Sequence, residues 1–212
     1  MPYATVPQLR AQIDRDSAAD DAVLLQILAG ATVNIDRAVN HYLPGLEYYQ
    51  APAVASARPY AGNGKRWQRI DASIAITAVA VKDAWDSTTY TAWAAADWLG
   101  YSGSFEHPKF ADLPYTGLMV TPDGAYSIFT KSYAGPTVQV TARWGYSATP
   151  PADIAEACVM QSARWYKRLQ GAMADALANG ELGMLLYQQS LDPDIRRLLV
   201  DGRHINSVMY GL

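Results

Sequence analysis

Residues 142–169 read Ala-Arg-Trp-Gly-Tyr-Ser-Ala-Thr-Pro-Pro-Ala-Asp-Ile-Ala-Glu-Ala-Cys-Val-Met-Gln-Ser-Ala-Arg-Trp-Tyr-Lys-Arg-Leu. Two periods meet here. Val138, Val140, Ala142 and Trp144 alternate as one face of a strand over Thr137 to Trp144. Past Pro150-Pro151, the residues Ile154, Ala155, Cys158, Val159, Ser162, Ala163, Tyr166 and Leu169 recur at helical spacing. Glu156, Arg164, Lys167 and Arg168 fall elsewhere on the wheel. Pro151 suits a first helical turn, and Asp153 and Glu156 favour the positive end of the helix dipole. Gly145 permits a bend and the two prolines restrict the backbone, so the stretch reads as a rigid strand-to-helix joint.

Such a helix needs a partner. Its small residues would let another helix approach closely, and the amino-terminal segment supplies a candidate. Thr5-Val6-Pro7-Gln8 has the form of a capping box for a short helix through about Ile13. Ser17 or Asp20 can cap a second helix, in which Leu24, Ile27, Leu28, Ala31, Ile35, Ala38, Val39 and Tyr42 form one apolar stripe ending at Pro44-Gly45. A stripe of about five turns is not stable alone in water. Packing it on the Pro151 helix is the expected solution.

The middle differs. Residues 45–65 are rich in Ala, Pro, Gly and Tyr, and Gly62-Asn63-Gly64 signals a turn. Strand patterns follow at Arg66–Ile70, Ile74–Val81, Thr88–Trp93, Leu118–Thr121 and Tyr126–Phe129, with Pro122-Asp123-Gly124 as a turn. Between Ala94 and Tyr115 lies an aperiodic aromatic loop containing Trp98, Tyr101, Phe105, Phe110 and Tyr115. Asn179-Gly180 stops the long helix, and Asp192-Pro193-Asp194 starts a last one that ends before Gly202. The expected fold is α+β: a helical body from residues 1–44 and 150–202, a β-rich insertion over 45–149, and an extended tail, 203–212.

Composition narrows the function. Half of the 212 residues are apolar and 17% are charged, which excludes a disordered chain. Seventeen Lys and Arg against 20 acids give a net charge of -3, whereas proteins that grip a nucleic acid backbone carry a basic excess. One cysteine, Cys158, makes no internal disulfide. The amino end lacks the pattern of a signal peptide, and no apolar run is long enough for a bilayer, so no membrane association is expected.

Catalytic patterns fail one by one. Gly64-Lys65 resembles a phosphate loop, yet Pro59 stands where the first glycine belongs and Arg66 where Ser or Thr is required. Gly100-Tyr101-Ser102-Gly103-Ser104 misses the second glycine of a nucleophile elbow. Asp14, Asp16, Asp20 and Asp21 lack the glycine and the closing Glu of a calcium loop. His41, His107 and His204 have no ligand spacing to each other or to Cys158. No enzyme, metal or cofactor is expected.

The acidic run before the long second helix, the strand ending Arg143-Trp144-Gly145-Tyr146, Pro150-Pro151-Ala152-Asp153, Arg164-Trp165-Tyr166-Lys167-Arg168 and the late Pro193-Asp194-Ile195-Arg196-Arg197 resemble, in order and spacing, the head–tail connector (adaptor) family of tailed bacteriophages. The match covers the helical ends in residues and the β insertion in type and position. Arg203 matches the arginine the family carries after its last helix, without the flanking aromatic. The resemblance implies a structural virion protein at the neck, made in the host cytoplasm. It would form a homo-oligomeric ring, twelve-fold in the virion, between the portal protein and a stopper or tail-completion protein. DNA would pass through the lumen without sequence-specific binding.

Three surfaces follow as expectations. Arg164, Trp165, Lys167 and Arg168 are read as a subunit interface, with a solvated helix face as the competing reading. The tail, with Arg203, Ile205, Val208, Met209, Tyr210 and Leu212, is read as a portal-binding strand addition, against self-packing. Trp98, Tyr101, Phe105, Phe110 and Tyr115 form a partner-contact loop, against insertion core. Two rival functions are an aromatic-rich ligand- or carbohydrate-binding module and a hydrolase using Ser102 with His107 and Asp112.

Overall fold

The computed structural model describes residues 2–14, 18–39, 48–102, 113–178, 191–202 and 204–205. The chain divides into two compact units, Met1–Tyr48 with Pro150–Leu212, and Tyr49–Thr149. The first is helical, the second a β-sheet, and the α+β class is as expected.

In the helical unit, α1 (Val6–Ile13) starts with the full capping box of Thr5 and Gln8. A short 3-10 turn, Ala18–Asp20, leads into α2 (Asp21–Ala38), which buries Leu24, Leu28, Ala31, Thr32 and Ile35. Asp20 stands at the N-cap, but its side chain makes no cap bond there; it accepts the Tyr166 hydroxyl at 2.9 Å instead. The helix ends at Ala38, and Tyr42, Pro44 and Gly45 lie outside the described residues.

The long helix α3 (Ala152–Ala178) begins one residue after Pro151, whose carbonyl accepts the Ala155 N–H at 2.9 Å. Pro151 therefore precedes the first turn rather than sitting in it. Ile154, Ala157, Cys158, Gln161, Ser162, Ala163 and Tyr166 are buried against the other helices. Leu169, expected on this stripe, is 38% exposed. The two helical ends of the chain do pack on each other: the Thr32 hydroxyl lies 3.7 Å from Cys158 Sγ, and Trp165 lies over Gly30. Tyr3 joins this core. Its N–H donates to Thr32 Oγ1 (3.1 Å) and its hydroxyl to buried Asp36 (2.5 Å).

The last helix, α4 (Pro193–Asp201), has Asp192 as N-cap and Pro193 at its first position, as the sequence indicates. It runs antiparallel to α3. Arg164 pairs with Asp192 and with Asp194 (2.7 Å) at its start, and His204 Nε2 lies 2.8 Å from Asp153 Oδ2 beyond its end.

The second unit is one six-stranded sheet of order β1-β6-β2-β5-β4, with β3 paired to β2. The strands are β1 (Ser56–Tyr60), β2 (Trp67–Val81), β3 (Thr91–Ala92), β4 (Trp98–Tyr101), β5 (Tyr115–Val120) and β6 (Val138–Trp144). The two strands expected at 66–70 and 74–81 are one. Its first half pairs with β5 and its second half with β6, with register shifts at Arg69/Ser73, Ser73/Ala75 and Ile76/Ala78 that bend the strand.

Two expected strands are mostly absent. Of Thr88–Trp93 only Thr91–Ala92 pairs, and Tyr126–Phe129 is irregular. The reason is aromatic packing: Tyr126 and Phe129 both stack on Trp93, at 4.3 and 5.1 Å. Side chains three apart cannot share a face in a strand of period two.

β6 alternates as expected, with Val138, Val140, Ala142 and Trp144 in the sheet core. Its far end is a clamp on residues 49–58. Trp144 Nε1 donates to the Ser56 carbonyl (2.8 Å), and Arg143 Nε to that of Pro52 (3.0 Å). Gly145 has φ +143°, and a Cβ there would meet Ala51 Cα at 2.8 Å. Tyr146 stands edge-on to Tyr49 at 5.4 Å. The Arg-Trp-Gly-Tyr run thus fastens the start of the β unit to its end.

Candidate assembly surfaces

Of the tetrad read as a subunit interface, two members are engaged within the chain. Arg164 holds the start of α4 through Asp192 and Asp194, and Trp165 packs on α2, its Cζ3 3.1 Å from where a Gly30 Cβ would stand. Lys167 and Arg168 are exposed. The helical unit also carries exposed apolar side chains that the sequence reading missed: Val23 (39%) and Leu25 (51%) on α2, and Leu169 on α3. Val23 and Leu25 lie off the buried Leu24–Leu28–Ala31 line, which is the only sequence signal for them.

The aromatic loop resolves into parts. Trp98 and Tyr101 belong to β4, and Tyr115 opens β5; Phe105 and Phe110 lie outside the described residues. Tyr101 is buried and its ring covers Gly117 of β5, where a Cβ would come within 2.2 Å of Cζ. Burial pushes its phenol pKa up, with Arg69 opposing. Within the expected aperiodic loop, residues 98–101 pair with β5 as an edge strand, and residues 103–112 lie outside the described residues.

Of the tail, Ile205 is described. Its N–H and that of His204 both donate to the Leu199 carbonyl (3.3 and 2.9 Å), closing the end of α4. Arg203, Val208, Met209, Tyr210 and Leu212 lie outside the described residues.

The chemical candidates acquire structural roles. Asp14 ends α1 in a left-handed conformation, Asp21 pairs with Arg10, and Gly64 (φ +72°) makes an ordinary turn before Lys65. Ser102 is fully buried, and its suggested partners His107 and Asp112 lie outside the described residues. Cys158 is fully buried beside Thr32 and the Leu28 carbonyl, and desolvation raises its thiol pKa. Among the described residues no cluster of three or more His, Cys, Asp or Glu could hold a metal ion, and no helix is long and apolar enough to cross a membrane.

No protein-family model and no curated protein matches the chain. Solved structures do. A chain of the neck of an empty gene transfer agent (GTA) particle superposes with a TM-score of 0.51 at 17% identity, covering 91% of this chain and 87% of that one. Chains of the neck of a native GTA particle, of C12 symmetry, and of the native GTA virion give TM-scores of 0.45 and 0.46, each at 17% identity and 93% coverage of both chains. The first likeness extends over both units and shows a shared fold.

Proposed function

We propose that this protein is a structural subunit of the neck of a tailed-phage-like particle, an adaptor ring component between the portal and the stopper or tail. The observation that carries the reading is the fold shared with a GTA neck chain over nine-tenths of the sequence. Fold alone does not give function, and two features of this chain add support. The helical unit presents exposed apolar side chains at Val23, Leu25 and Leu169 and exposed cations at Lys167 and Arg168, surface of the kind that repeated copies bury on one another. Of the titratable groups singled out from the sequence, Asp14, Asp20, Asp21, Cys158 and His204 are used for helix ends, hydrogen bonds, ion pairs and packing, which suits a non-enzymatic role.

In this reading the sheet unit and the helical unit are the two working parts. The ring is twelve-fold in the virion, at the head–tail junction, and residues 203–212 add to a sheet edge of the portal. DNA crosses the lumen without being read. The test is to mix the purified chain with the portal of its own particle and image the product by electron microscopy. A ring of this protein capping the portal is expected; a chain that leaves the portal bare while the tail joins normally overturns the reading. Removal of residues 206–212, which keeps the His204–Asp153 pair and the closure of α4, is expected to leave the circular-dichroism melt unchanged and to abolish capping.

A further inference from the structure

One pole of the sheet unit is built from three segments: the turn at 62–67, the loop at 82–90 and the loop at 130–137. Backbone bonds tie them together. Ser132 N–H donates to the Gly62 carbonyl (2.8 Å), and Lys82 N–H to that of Thr137 (2.9 Å). The Tyr90 hydroxyl donates to the Pro136 carbonyl (3.3 Å), and Lys131 packs on Gly64. Each segment brings a lysine over an aromatic ring: Lys65 on Trp67 at 5.4 Å, Lys82 on Tyr90 at 5.2 Å, Lys131 on Tyr133 at 5.0 Å. Trp85 meets Tyr133 edge to face at 6.1 Å, and both stay open to solvent, 46% and 70% exposed.

This concentration is unlike the rest of the chain. The sequence has a net charge of -3, yet Lys65, Arg66, Lys82 and Lys131 gather here against Asp83 and Asp86. Lysines held over rings are attractive to anions while the rings supply apolar contact area. Nucleic acid suits the pole less well. Its two most exposed rings meet at 77°, which offers no parallel faces for successive bases.

We propose that this pole is a docking site for an acidic protein segment that also carries an aromatic or aliphatic side chain. The carboxylates would meet Lys82 and Lys131, and the apolar side chain would seat against Trp85 and Tyr133. The site is independent of the neck reading, which does not involve these loops.

The test is fluorescence anisotropy of labelled polymers with the full chain at low salt. A random glutamate–tyrosine copolymer is expected to bind. Binding should weaken about tenfold or more in the double variant Lys82→Glu/Lys131→Glu and likewise in Trp85→Ala/Tyr133→Ala. Lys131, Trp85 and Tyr133 are exposed and Lys82 is half-buried, and unchanged circular dichroism confirms folding. Poly-glutamate is expected to bind more weakly than the copolymer; equal binding removes the rings from the site and overturns the proposal. So does no binding by the native chain, no loss in either double variant, or tighter binding of a thymidine oligonucleotide than of the copolymer.

Discussion

The ring of Tyr101 in β4 lies across Gly117, its register partner in β5, so closely that a Cβ on Gly117 would stand 2.4 Å from the phenol oxygen. A glycine weakens a strand unless something covers it, and here a buried tyrosine does so. Replacing Gly117 by Ala forces the ring out and is expected to cost about 1–3 kcal/mol. Adding Tyr101→Ala to Gly117→Ala should cost less than Tyr101→Ala alone, since the clash is already gone. Denaturant melts of the two single variants and the double variant measure this coupling; additive losses would mean that ring and glycine do not meet.

Burial also shapes the pH response. Tyr60 is held well above the ordinary tyrosine range, chiefly by desolvation. The Asp71 N–H that donates to its oxygen opposes this, the Asp71 carboxylate that accepts its hydroxyl at 2.9 Å adds to it, and Arg58 opposes it. Cys158 is shifted up by desolvation as well. For both groups the unfolded chain loses its proton first as pH rises. Stability is therefore complete below the ordinary thiol value and declines as pH climbs through about 8.5 and then about 10. Melts taken from pH 7 to 10.5 should show this fall, and Tyr60→Phe should flatten its upper part. At pH 8 a thiol reagent should label Cys158 only at the rate of unfolding; rapid labelling of the native chain would contradict its burial.

Arg164 offers a third check, because it is bound within the chain by Asp192 and Asp194 at the start of α4. The pair with Asp194 is well exposed and screened, so Arg164→Ala is expected to cost about 1 kcal/mol or less. The loss should be local. Hydrogen exchange in α4 should quicken while amides of α2 and the sheet stay protected. Equal loosening throughout would show that Arg164 does not act on α4.

How far the sequence could be read depends on how local the cause is. The capping box of Thr5 and Gln8, the Asp192-Pro193 helix start and the alternation of β6 are all set by neighbours in the chain, and all were legible. β1 was not. It holds Pro59 and is mostly exposed, which an edge strand tolerates but a strand pattern does not announce. Tyr126–Phe129 misled because its rings answer to Trp93, some thirty residues away, rather than to a strand face. Leu169 continues the helical period of α3, yet Tyr166 already meets Asp20 at the start of α2. One turn further on, α2 no longer covers it. Which faces of α2 and α3 stay open is a property of the packed unit, and so is the gathering of lysines at one pole of the sheet.

Those open faces carry the last prediction. Leu25, half exposed on α2, contributes little to the fold as it stands, so Leu25→Glu is expected to change stability within about 0.5 kcal/mol. If copies of the chain meet through this side of the helical unit, a glutamate there buries an unpaired charge at every joint of the ring. Ring formation on a portal, followed by sedimentation and electron microscopy, should then fail for Leu25→Glu while Leu25→Met assembles normally. The Lys167→Glu/Arg168→Glu variant separates the α2 surface from the exposed cations of α3, since it alters charge without touching α2. Normal rings from Leu25→Glu would place the subunit joint on another face, and the shared fold would then have to be assembled through contacts away from α2.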